Sequence, residues 1–239
     1  NKSGRIAMAP FITAGYPSPE STVPLIKTLT NAGADLIELG VPFSDPLAEG
    51  STIQKSSHKA LLQNINPAKC IEMVASVRAD GILTPIVLMG YYNQIIAMGH
   101  ENYCTLASEA GADGLIVADL PVSEANELIE VCKLKNLAFV PLLALTSTEN
   151  SISEACKVGT GFIYCISVLG VTGAREEMNQ RVEQLVGKVR QYTELPIAVG
   201  FGVSKPNHIQ NLRRYADGAV IGSALINAIG TGSPAEVSN

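Results

Sequence analysis

Short apolar and β-branched runs recur along this chain with segments of helical spacing between them, and that alternation restricts the fold more than any other feature. The runs are MAPFIT (8–13), DLIELG (35–40), PIVLMG (85–90), GLIVAD (114–119), LAFVPL (137–142), FIYCIS (162–167), PIAVGF (196–201) and GAVIGS (218–223). Each reads as a strand. The first intervening segment shows the helix signals well: Ser18 is a candidate N-cap, Pro19 sits in the first turn, Val23, Ile26, Leu29 and Ala32 keep helical spacing, and Gly33 closes it. The junction into the next strand recurs as AGADLIEL from 32, AGADGLIV from 110 and YADGAVIG from 215. One helix–turn–strand unit is therefore repeated, rather than several domains joined by linkers.

Strands that alternate with helices make a parallel sheet, and eight units in 239 residues match a closed (β/α)8 barrel forming a single domain over 1–239. An open doubly wound sheet shares the alternation and is the alternative. The segment between the second and third runs is the longest, so an extra helix is expected there, over one face of the barrel. With 46% hydrophobic residues the chain can bury a substantial core, which excludes disorder.

Five cysteines, at 70, 104, 132, 156 and 165, include no C-x-x-C pair and lie mostly in apolar surroundings. They read as reduced core thiols in a reducing compartment. No apolar run approaches the roughly 18 residues that span a bilayer, and the first residues carry no signal-peptide pattern. The expectation is a soluble protein of the cytoplasm or, alternatively, a plastid stroma, without a membrane partner. A net charge of −5 without a basic run gives nucleic acid no electrostatic footing. A small anionic ligand needs only a local site.

In barrels of this kind the chemistry sits where the strands end. Around the second strand the stretch ELGVPFSDPLAEG (38–50) gathers Glu38, Asp45 and Glu49, although a buried carboxylate is costly unless something compensates it. No run contains a lysine, which argues against a Schiff-base lyase, and His58, His100 and His208 all fall outside the runs, which argues against a metal-dependent aldolase. The G-x-G at 200–202 lacks the rest of a dinucleotide fingerprint. Together with Gly222-Ser223 and a helix from Ala224, and with Gly170 and Gly173 after the sixth strand, it instead suits a phosphate, held by backbone N–H groups and a helix N-terminus. Proton transfer then remains, with Glu38, Asp45, Glu49, Asp119 and Tyr164 as candidates. Asp45, between Ser44 and Pro46, fits turn chemistry.

Taken together, FITAGYP (11–17), ELGVPFSDPLAEGSTIQ (38–54), MGYYN (89–93), VADLP (117–121), GVTGAR (170–175), VGFGVS and IGSA resemble the tryptophan synthase alpha chain family over nearly the whole sequence. The resemblance implies a cofactor-independent carbon–carbon lyase of tryptophan biosynthesis that cleaves indole-3-glycerol phosphate to indole and glyceraldehyde 3-phosphate. It implies a β subunit as partner, in an α2β2 heterotetramer, with pyridoxal phosphate only in that subunit. It also implies that some sequence lies beyond each end of the chain given. Glu38 matches the catalytic glutamate. Glu49 falls where the family has aspartate, beside the indole nitrogen, and Tyr164 matches a tyrosine beside the glycerol chain. Phe11, Ile53, Tyr91 and Phe201 match positions around the substrate, Gly173, Gly202, Gly222 and Ser223 match the phosphate site, and Thr172 matches a lid residue on loop six that reaches the second carboxylate.

Four positions depart from the family pattern: Glu49 replaces aspartate, Ser51 replaces the proline of Gly-Pro, Gln94 replaces the proline of Asn-Pro, and Val168 stands where bacterial members often carry arginine. They fall on or beside the loops expected to form the lid or to meet the β subunit. The other readings are a free-standing lyase that releases indole, a barrel that keeps the phosphate site but serves as an allosteric partner, and a phosphosugar isomerase. The last lacks its usual strand-end lysine and histidine.

Overall fold

Each of the eight runs forms strand in the computed structural model of the chain, which describes residues 5–166, 175–200 and 206–231. Among these residues the strands are β1 (Ala7–Thr13), β2 (Ile37–Gly40), β3 (Ile86–Gly90), β4 (Gly114–Val117), β5 (Ala138–Phe139), β6 (Leu142–Ala144), β7 (Ile163–Ile166), β8 (Ile197–Gly200) and β9 (Gly218–Ile221). The ninth comes from the fifth run, expected as one strand over 137–142. Pro141 interrupts it, since proline has no N–H to give a ladder. All pairings are parallel, in the order β5-β4-β3-β2-β1-β9-β8-β7-β6. The two outer strands are thus consecutive in the chain. Across the break, Val140 N–H donates to the Leu115 carbonyl at 3.0 Å and Tyr164 N–H donates to the Pro141 carbonyl at 3.1 Å. The broken strand therefore bonds both neighbours and closes the ring, which decides for the (β/α)8 barrel and against the open sheet.

The helices α1 (Thr22–Asn31), α2 (Ser51–Leu61), α3 (Pro67–Ala79), α4 (Tyr92–Met98), α5 (His100–Glu109), α6 (Asn126–Leu134), α7 (Glu149–Val158), α8 (Arg175–Val189), α9 (Pro206–Leu212) and α10 (Ser223–Thr231) surround the sheet. The long second connection holds α2 and α3, which supplies the expected extra helix. The third also holds two, broken at Gly99, whose φ of 81° ends α4. The first helix begins later than its sequence suggests: Ser18 is extended, Pro19–Ser21 form a single 3-10 turn, and α1 starts at Thr22. Its Ile26 and Leu29 are buried as expected, whereas Ala32 is exposed. All five cysteines are free and buried. Among the described residues no helix is long and apolar enough to cross a membrane.

Side-chain alternation along each strand sorts the barrel into shells. Ile37 and Leu39 of β2 pack outward under the helices, so Glu38 between them points into the barrel. The interior builds up in layers contributed by alternate strands. Ala9, Val87, Val140 and Ala198 form one layer, and Glu38, Ile116, Tyr164 and Val220 form the next. Phe11, Met89, Leu142 and Gly200 lie above them toward the strands' C-terminal ends. One carboxyl group thus sits in the middle of an otherwise apolar stack.

The repeated AGAD and YAD junctions have a structural meaning. Asp35, Asp113 and Asp217 each precede a strand, and each grips the first residues of the strand before it. Met8 N–H donates to Asp35 at 2.8 Å, Ile86 N–H to Asp113 at 2.7 Å and Ile197 N–H to Asp217 at 2.9 Å. In return the aspartate's own N–H donates to the carbonyl of the same residue in all three cases. An arginine pairs with each carboxylate: Arg5, Arg78 and Arg190 respectively. This lock fixes register at the N-terminal face of the barrel, away from the strand ends that carry chemistry. Burial alone would raise the Asp217 carboxyl, but its bonds to Arg190 and to the Ile197 N–H hold it below its ordinary range. Its contribution is therefore present above the ordinary carboxylate pKa and lost as the pH falls through the lowered value. Replacing Asp217 by Ala should cost about 2 kcal/mol in urea unfolding at pH 7, because a buried N–H loses a charged acceptor. Glu130→Ala, which breaks the exposed pair with Lys133, should cost less than about 0.5 kcal/mol.

Candidate active site

Glu38 is 2% exposed and sits one layer below the barrel mouth, not at the last residue of its strand. Tyr164, in the same layer, donates its hydroxyl hydrogen to the Glu38 carboxylate. Burial is the strongest influence on Glu38, and the charge of Glu49 adds to it. Both favour the neutral acid, and the Tyr164 hydrogen bond opposes them, leaving the group pushed up to about 8. The neighbouring layer makes room for the phenol. A side chain at Gly200 would bring its first carbon within 2.4 Å of the Tyr164 hydroxyl oxygen, so this site needs glycine for space.

Glu49 arrives from the loop between β2 and α2. Its N–H donates to the Pro46 carbonyl at 3.1 Å, and the Gln54 side chain donates to its own carbonyl at 2.9 Å, so a turn ahead of α2 fixes the backbone. Glu49 is half-buried, and Tyr91 hydrogen-bonds its carboxylate. Burial raises the group to about 7 against the lowering effect of that bond. Tyr91 is itself 3% exposed, accepts the Ala48 N–H at 3.3 Å and stacks on Phe43 with ring centroids 4.7 Å apart.

A cavity of about 320 Å³ lies between the two carboxyl groups. Glu38, Tyr164 and Val220 form its floor, Phe11, Met89, Leu142 and Ile53 its apolar wall, and Glu49 its rim. On the far side Gly222, Ser223 and Ala224 open it onto the N-terminus of α10, where backbone N–H groups and the positive end of the helix favour an anion. The cavity can therefore take a planar apolar group at one end and an anionic group at the other. Two carboxyls raised into the neutral range lie within reach of whatever joins them.

The structure gathers Glu38, Glu49, Tyr164, Phe11, Ile53, Gly222 and Ser223 around one cavity, as the sequence suggested. Tyr91 does not line it but stands behind Glu49. Asp45 is exposed and stays within its turn, accepting the Ser44 hydroxyl at 2.6 Å while its carbonyl accepts the Leu47 N–H. Asp119 accepts the Tyr92 N–H at 2.7 Å at the start of α4 and is also outside the cavity. Thr172, Gly173, Phe201 and Gly202, with Val168 and Gly170, lie outside the described residues. Among those described, no group of three or more His, Cys, Asp or Glu side chains could hold a metal ion. Asn227 also lines the cavity and was missed. Its only signal in the sequence is its place one helical turn after Ser223.

The family model described as tryptophan synthase alpha chain matches residues 1–238. Among curated relatives, the tryptophan synthase alpha chain of Chloroflexus aggregans is 44% identical over 234 residues, covering 98% of this chain and 88% of that one. The alpha chain of Geobacillus stearothermophilus is 45% identical over 220 residues, covering 92% and 81%. Among solved structures, a chain from Aquifex aeolicus superposes with a TM-score of 0.91 at 36% identity, covering all of this chain and 91% of its own. A chain of the tryptophan synthase α2β2 complex of Pyrococcus furiosus superposes at 0.90 with 38% identity, covering 97% and 93%.

The raised Glu38 has a consequence for stability. A carboxyl whose folded pKa lies above its unfolded value stabilises the fold at low pH, and that stabilisation is lost as the pH rises toward the folded value. Between about pH 5 and pH 8, Glu38 should therefore draw stability down, starting from its ordinary value of 4.5. Glu38→Gln, which cannot ionise, should unfold at a higher urea concentration than the natural chain at pH 8, with the gap closing by pH 5. Paired urea titrations at the two pH values measure it.

Proposed function

The chain belongs to the tryptophan synthase alpha chain family, and from that premise we propose that it is an aldehyde-lyase that cleaves indole-3-glycerol phosphate to indole and glyceraldehyde 3-phosphate. The observation that carries the reading is the pair of carboxyls, Glu38 and Glu49, held in the neutral range on two sides of one cavity. In this reading the indole ring lies against Phe11, Ile53 and Leu142, and the phosphate is bound at Gly222 and Ser223.

Glu38 is protonated at pH 7 and acts first as an acid. It delivers its proton to C3 of the indole ring, and the resulting carboxylate then accepts the proton of the glycerol hydroxyl next to the ring. Loss of that proton forms the aldehyde carbonyl as the carbon–carbon bond breaks. The bonding pair returns to the ring and neutralises the positive charge developed at its nitrogen. Glu49, as a carboxylate near the ring N–H, stabilises that charge while it exists. Tyr164 holds the Glu38 carboxylate between its two proton transfers. Thr172, Gly173, Phe201 and Gly202 belong to the proposed site by family correspondence. No cofactor enters these steps; pyridoxal phosphate belongs to the β subunit, which consumes the indole. The solved α2β2 complex of Pyrococcus furiosus supports a heterotetramer, and bacterial relatives support a cytoplasmic setting.

Two tests follow from these roles. Indole release by the purified chain should be weak alone and rise sharply with a tryptophan synthase β subunit, and Glu38→Gln should lower it by at least ~10³-fold. No release under either condition would overturn the reading. The dependence of kcat/KM on pH should be bell-shaped with its maximum between about 7 and 8, falling on the acid side as Glu49 takes up a proton and on the alkaline side as Glu38 loses one.

A further inference from the structure

The loop that carries Glu49 is held from outside itself. Between Pro42 and Glu49 its residues Ser44, Asp45 and Ala48 are exposed, and Leu47 is 91% exposed, so side-chain packing contributes little to its position. Helix α2 anchors its backbone, with Ser57 accepting the Phe43 N–H at 3.0 Å and Gln54 donating to the Glu49 carbonyl at 2.9 Å. A second set of anchors, which reaches both the foot of the loop and the Glu49 side chain, lies in the segment after β3. Gln94 donates from Nε2 to the Pro42 carbonyl at 2.8 Å, at the foot of the loop. The same carboxamide accepts the Tyr91 N–H at its Oε1, at 3.4 Å. Tyr91 in turn receives the Ala48 N–H on its hydroxyl, stacks on Phe43 and hydrogen-bonds the Glu49 carboxylate. One side chain therefore joins the base of the loop to the tyrosine that meets its functional end. The family pattern has proline at this position, which offers neither the side-chain donor nor a backbone N–H.

We propose that Gln94 is a positioning residue for the lyase reaction, setting through Pro42 and Tyr91 where the loop after β2 delivers Glu49. It touches no substrate and does not line the cavity. This rests on the assignment of Glu49 to the ring nitrogen. The effect belongs in kcat more than in KM, because the charge that Glu49 answers is developed only in the transition state. Displacements of about 1 Å at such a group can cost up to ~10²-fold in rate.

The test replaces Gln94 by Met, which keeps an unbranched chain but neither donates to Pro42 nor accepts from Tyr91. In the complex with a β subunit, Gln94→Met should lower kcat ~10-fold with KM changed less than ~2-fold, and added to Glu49→Gln it should cost less than a further ~2-fold. Independently of turnover, 13C NMR of the glutamate carboxyls in the chain without substrate should show the Glu49 titration moved in Gln94→Met relative to the natural chain, because the burial that raises Glu49 and the Tyr91 hydrogen bond that lowers it both depend on where the loop stands. An unchanged Glu49 titration would overturn the proposal, even if the variant melted at a lower temperature. So would full additivity with Glu49→Gln. If the natural chain released no indole, the lyase reading would fall, while the Glu49 titration would still decide whether Gln94 sets that group's position.

Discussion

A carboxyl group in the middle layer of a parallel barrel is an expensive choice, and much of this architecture follows from accommodating it. Glu38 faces inward with Ile37 and Leu39 packed outward on either side, so it cannot turn to solvent without unseating two core residues. Its burial is tolerated by remaining neutral, by the Tyr164 hydroxyl in its own layer, and by a cavity directly above it. Gly200 leaves the space that lets the phenol reach it. Each accommodation is also what an acid–base group requires. In the proposed reaction, the desolvation that raises Glu38 keeps its proton available at neutral pH, and the Tyr164 hydrogen bond stabilises the carboxylate left behind.

The two faces of the barrel divide the work. At the N-terminal face three aspartates repeat one lock, each tying the start of a strand to the turn before the next and each charge-balanced by an arginine. That regularity leaves the C-terminal face free to be irregular. There the connection after β2 brings a second carboxyl across the cavity, and the connection after β9 presents a helix N-terminus. Because the charge of Glu49 adds to burial in keeping Glu38 neutral, the pair favours a neutral Glu38 beside a charged Glu49 near neutral pH, the distribution that the proposed proton shuttle and charge stabiliser need.

Much of this was legible in the sequence, because it depends on short-range periodicity. The eight runs gave the strands and the long second connection gave its extra helix. The AGAD repeats mark one recurring unit, although only the folded structure reveals that its aspartate reaches back to the preceding strand. The fifth run was the exception: Pro141 sits inside an apolar stretch that looks continuous until its missing N–H splits the ladder between two neighbours. The sequence pattern points Glu38 to the strand end, whereas it lies one layer deeper beneath the cavity, since depth within a barrel depends on strand register and not on the local pattern. Tyr91 matched a substrate-contacting position yet serves Glu49 from behind, and Gln94 reaches a carbonyl 52 residues away. Contacts of that separation leave no periodic trace. Asn227 was missed because a single exposed amide on a helix carries no motif.

Glu38 stays a neutral acid in the resting site only while burial raises it more than the Tyr164 hydrogen bond lowers it. The most direct measurement is the ionisation of that carboxyl itself, followed by infrared difference spectroscopy across pH in the natural chain and in Tyr164→Phe, with Glu38→Gln identifying the band. The expected midpoint lies near 8 and moves higher when the tyrosine hydroxyl is removed. A midpoint near the ordinary 4.5, or one that falls in Tyr164→Phe, would contradict it.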